Sequence, residues 1–139
     1  MAIELHVFLE KSEVPTHYDW QEAISSIGSP AEIRAPFDPQ LDKGFRPVNY
    51  GDQSTGFEFY LEPSSEIVRS YPHIADRLGR RDVCATFRWG GGLNEMSAAL
   101  AAAAALTKLS DGIYYYPDDD VLYDGDEAVQ ATRRDLNLR

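Results

Sequence analysis

The chain of 139 residues has one cysteine, three histidines and no lysine- or arginine-rich run. Each shortage removes a class of function. A single thiol cannot close an intrachain disulfide. Cys84 sits in the apolar run Val83-Cys84-Ala85-Thr86-Phe87, the ordinary setting of an inert core thiol. That use of cysteine fits a reducing cytoplasm. As a nucleophile Cys84 would need a base brought to it by the fold, from His6 or His73. His6, His17 and His73 share no metal-ligand spacing with one another or with Cys84, so no metal site is expected. No cofactor motif stands in the chain, and a G-x-S-x-G elbow is missing, so no catalytic residue is assigned.

Cations cluster only at Arg77, Arg80 and Arg81 and at Arg133, Arg134 and Arg139, against a formal charge of −10. That balance repels nucleic acid and anionic membranes and favours a basic protein partner. The longest apolar run, Met96 to Leu106, is too short to span a bilayer and is mostly alanine. The opening residues MAIELHVFLE carry two glutamates and no basic n-region, unlike a signal peptide. The length and the near-average apolar fraction imply one domain, 1–139, with a core that needs no staple.

Periodicity gives the elements. Ile3, Leu5, Val7 and Leu9 alternate with Glu4, His6 and Phe8, which predicts a strand. After Pro15, Thr16 or Asp19 caps a helix with Trp20, Ala23, Ile24 and Ile27 on one stripe, and Gly28 stops it. Residues 36–54 hold Pro36, Pro39, Pro47, Gly44 and Gly51 and read as a long loop. Gly56 to Leu61 alternates as a strand that Pro63 ends, and two short helices divided by Pro72 follow. Asp82 to Trp89 is a strand, with Arg88 turned away from Phe87 and Trp89 toward a neighbour such as Glu58. A helix capped by Asn94 runs to Leu109 with alanine on nearly every face. Ile113 to Tyr116 and Val121 to Tyr123 form a hairpin, and Asp124 or Asp126 caps a last helix. Helices between strands imply crossovers. The expected architecture is α+β, a mixed sheet of about five strands with helices mainly on one face.

Two regions attract functional readings. Gly90, Gly91 and Gly92 lie between a strand and a helix, the context of a phosphate cradle. The residues that follow offer no lysine and place Glu95 in the first turn, so a tight turn is the better reading. A pocket between this turn and residues 36–54, near Arg88, Trp89, Asn94 and Glu95, is the alternative site of a small enzyme or ligand-binding domain. From Asp111 to Glu127 there are seven carboxylates and no cation. Counted from Asp118, the fifth position of an EF-hand loop is Leu122, so that calcium motif fails. Tyrosines among these acids suit an interface with a cationic partner. The residues assigned to it are Asp118, Asp119, Asp120, Tyr123, Asp124 and Asp126, with Tyr115 beside them. An exposed aromatic edge that pairs with its own copy, giving a homo-oligomer, is a third arrangement.

The stretch Arg80 to Val129, with its strand, alanine-rich helix and Gly112-x-x-Tyr115-x-Pro117 hairpin, resembles small acidic bacterial proteins of unknown function. These are similar to the immunity proteins of polymorphic or contact-dependent toxin systems. The resemblance spans roughly the last sixty residues and transfers no catalytic residue. It implies a non-enzymatic cytoplasmic inhibitor that occludes a basic toxin surface.

Overall fold

The computed structural model describes residues 2–138. The strands are β1 (Ile3–Leu9), β2 (Ala31–Ile33), β3 (Gly44–Tyr50), β4 (Gln53–Pro63), β5 (Val83–Trp89), β6 (Ile113–Tyr116) and β7 (Val121–Tyr123). The α-helices are α1 (His17–Ser26), α2 (Ser64–Val68), α3 (Leu93–Ser110) and α4 (Gly125–Asp135), and a 3-10 helix covers Pro72–Arg77. All seven strands join one sheet in the order β2-β3-β4-β5-β1-β6-β7. The α+β class holds, but the sheet has seven strands rather than five and is antiparallel at every junction rather than mixed. The crossovers are real, yet they never join neighbours. β1 lies between β5 and β6 and pairs antiparallel with both, so the strands that α3 connects run parallel without touching.

Of the two strands beyond the expected five, β2 precedes the expected long loop and β3 lies within it. Residues 36–54 contain β3 and the start of β4, and this corrects the reading of that segment. Pro47 sits within β3 because its missing N–H faces the short edge strand. The Pro47 carbonyl accepts the Arg34 N–H at 3.0 Å, just beyond the end of β2, and its N–H would have pointed the same way. The ladder to β4 therefore loses nothing there.

The first face of the sheet carries the main core. Leu5, Val7, Phe57, Phe59, Ala85 and Phe87 project from β1, β4 and β5 onto α1, α3 and α4. Helix α3 is buried along most of its length through Ala98, Ala99 and Ala101 to Ala105. Side chains this small let it lie close to the sheet and between α1 and α4. Trp20 of α1 spans the layers, stacking near Phe59 and Phe87 while its indole N–H donates to the Ala102 carbonyl at 2.9 Å. Two glycines permit close approaches of α3 and α4 to their neighbours. A Cβ on Gly112 would lie 2.8 Å from the Phe8 carbonyl oxygen, and one on Gly125 would lie 2.7 Å from Lys108 Cα.

Local signals set the helix ends. Thr16 caps α1 by accepting the Asp19 N–H, and Asp124 caps α4 in a reciprocal box with Glu127. At α3 the cap is Gly92 rather than Asn94, which lies inside the first turn. A smaller cluster on the second face unites Phe8, Ile74, Leu78, Cys84, Ile113 and Tyr115, covered by α2 and the 3-10 helix. Among the described residues no helix is long and apolar enough to cross a membrane.

Candidate functional site

Strand alternation sends the residues between the core positions to the second face. There β1 contributes Glu4 and His6, β4 contributes Glu58, Tyr60 and Glu62, and β5 contributes Cys84, Thr86 and Arg88. Register aligns them in rows: Glu4 and Glu58 flank Arg88, His6 and Tyr60 flank Thr86, and Phe8 and Glu62 flank Cys84. The helical cover reaches only part of this face. The rest is a cleft of about 430 Å³ lined by Glu4, His6, Tyr60, Glu62, Thr86 and Arg88, with Ile67 and Lys43 beside them.

The charges in the cleft are mostly committed. Arg88 Nε stands 3.0 Å from Glu4 Oε2, so its ion partner is Glu4, with Glu58 in register on the other side. Tyr60 donates its hydroxyl to Glu58 Oε1 at 2.5 Å, and that bond is the main cause of the upward shift of its phenol pKa. His6 Nδ1 lies 2.9 Å from Thr86 Oγ1. Burial lowers the His6 pKa to about 4.

The fold does bring His6 to Cys84, with Sγ 3.7 Å from Nδ1. The pair is not an activated nucleophile. Burial drives the thiol pKa upward and the imidazole pKa downward, so both groups stay neutral. Among the described residues no group of three or more His, Cys, Asp or Glu side chains is placed to hold a metal ion.

The acidic residues chosen from sequence have several different surroundings. Asp118, Asp119 and Asp120 are exposed at the tip of the β6–β7 hairpin. Asp120 turns inward, in a left-handed conformation with φ +51°, and its Oδ1 accepts from Tyr115 at 2.7 Å and meets His73 Nε2 at 2.7 Å. Those two bonds, His73 first, hold its carboxyl below the usual range. Asp118 and Asp119 make no ion pair or side-chain hydrogen bond among the described residues. Tyr115 is buried on the second face, and Tyr123 packs against Tyr114 beneath α4. Asp124 is spent on the helix cap, and Asp126 pairs with Lys108.

The tip and the cleft share one face. Tyr71 lies between them, stacking on His6 at 5.7 Å and on Tyr115 at 5.1 Å. Burial raises its phenol pKa, and the charges of Glu4 from one side and Asp118 from the other raise it further.

The glycine turn has a structural explanation. Glu95 Oε2 accepts the Gly90 N–H at 2.8 Å and fills the space where an anion would sit. Trp89 is buried on the first face while Arg88 lines the cleft on the second, so this group does not converge on one cavity. Glu62 and Tyr60 of the cleft carry no functional reading from the sequence, and His6 carries one only as a base for Cys84 or a metal ligand. The available signal was their off-core position in three alternating strands; what was missing was the knowledge that those strands are neighbours.

No family model, curated protein or solved structure matches this chain.

Proposed function

We propose that this chain is a non-enzymatic protein-binding domain whose acidic hairpin tip meets a basic partner, in the specific form of a cytoplasmic immunity-type inhibitor that occludes a toxin's cationic surface. The observation that carries it is the state of Asp118 and Asp119, two exposed carboxylates without an ion-pair or hydrogen-bond partner among the described residues, on a tip braced from below. The Asp120 contacts with Tyr115 and His73 tie the turn to the sheet, so the free acids are presented with little entropy to lose on binding. Unscreened negative charge on a net −10 chain accelerates encounter with a cationic surface. The resemblance of Arg80 to Val129 to immunity proteins suggests the class of partner.

The test is association kinetics with the protein encoded by the neighbouring reading frame, followed from low to high salt. The expected rate falls by about tenfold or more across that range. The double variant Asp118→Asn/Asp119→Asn associates more slowly, with a flatter salt dependence and an unchanged unfolding midpoint. A rate indifferent to salt, or to both substitutions, would remove electrostatic capture. A neighbouring frame that encodes no toxin would remove the immunity form.

A further inference from the structure

His6 is the anomaly of the second face. Its side chain is 2% exposed, and Nε2 is buried without a hydrogen-bond partner. The nearest carboxylate oxygen, Glu4 Oε1, is 3.7 Å away, too far for a hydrogen bond. Leaving such an atom unpaired is unfavourable. The Glu4 side chain above it is 38% exposed. In the tautomer whose Nδ1–H donates to Thr86, Nε2 turns a lone pair toward the cleft, and burial keeps the ring neutral.

Glu4 and Glu62 supply carboxylate acceptors to the same cleft. Glu62 lines the cleft without an ion partner among the described residues, while Glu4 pairs with Arg88, so the lining carries two carboxylates, one paired guanidinium and Lys43. Lys43, the other cation, is exposed. Ile67 and the Tyr60 ring supply apolar surface for an alkyl stem, and Tyr60 a face for a cation. We infer that this cleft binds an organic cation, a guanidinium or primary ammonium on a short alkyl chain, whose N–H donors bridge Glu62 and Glu4 and reach His6 Nε2 once Glu4 swings aside. A donor-only cation complements the acceptors Glu62, Glu4 and His6 Nε2. The inference is independent of the hairpin reading.

The experiment is an NMR titration with N-acetyl-arginine amide and N-acetyl-lysine amide, with succinate as the anionic comparison. Either cation should shift the His6 ring nitrogens and the amides of Glu4 and Thr86. Glu62→Gln should weaken binding by about tenfold. Lys43→Ala should tighten it by removing a like charge, and Asp118→Asn/Asp119→Asn should leave it unchanged. A pentapeptide with arginine at its centre distinguishes the source: tighter binding than the amide indicates a partner's side chain, equal binding a free small molecule. The inference is overturned if neither cation shifts these signals, if Glu62→Gln binds as well as the parent, or if succinate shifts them and Lys43→Ala weakens binding.

Discussion

On one face of the sheet Phe57, Phe59 and Phe87 meet Trp20 and the alanines of α3. On the other, one residue away along the same strands, Glu4, His6, Thr86, Cys84 and Arg88 stand side by side. The first face gathers apolar area from three helices; there the Trp20 indole N–H is bonded, and the Trp89 indole N–H is buried without a partner among the described residues. The second is covered by only two short helical segments, and beneath and beside them it keeps ionisable groups, two of which, His6 and Arg88, have a buried nitrogen without a hydrogen-bond partner among the described residues. Stability is thus expected to concentrate on one side and recognition on the other, since a face optimised for packing has little left with which to discriminate ligands.

The largest break in that comparison comes from Trp20→Ala, which empties a fully buried site and deletes the bond to the Ala102 carbonyl. The expected loss is about 3–5 kcal/mol in urea unfolding; a loss below about 1 kcal/mol would deny the first face its role. The next concerns His6, surrounded by Glu4, Thr86, Cys84 and Tyr71. The folded chain keeps this ring neutral down to about pH 4, whereas the unfolded chain takes up the proton near 6.5. Protons therefore favour unfolding. The stability is present above pH 6.5 and is lost as the pH falls toward 4, by about 3 kcal/mol over that window. His6→Phe should flatten this limb when chemical unfolding is repeated across pH, and an unchanged limb would assign the acid sensitivity to other groups. The smallest effect is expected of Tyr60→Phe, which removes a part-buried bond to Glu58 on the open half of the second face. Its unfolding midpoint should match the parent; a clear drop would mean that this half also supports the fold.

Much of the fold was legible locally. Alternation in β1 and β5, the Thr16 cap, the Asp124–Glu127 box and the hairpin around Pro117 to Asp120 are written in residues close together in sequence. β3 was not, because Pro47 and the flanking glycines imitate a loop, and only the position beside a three-residue edge strand makes that proline harmless. The acidic tip was visible as composition. Its division into two free acids and one tied down by His73 was not, because His73 is 47 residues from Asp120 and reaches it only through the fold.

The amino-acid order by itself determined which side chains share a face within each strand, where the helices begin, and that the chain carries an excess of negative charge. These follow from φ/ψ preference, side-chain period and ionisation, which need only near neighbours. The tertiary structure decided which strands lie together, and with that the pairing of Arg88 with Glu4, the burial of His6 against Thr86 and Cys84, and the cleft they line. Sheet order arises from closing loops of some eighty residues around a common core, and no local window of sequence contains that information.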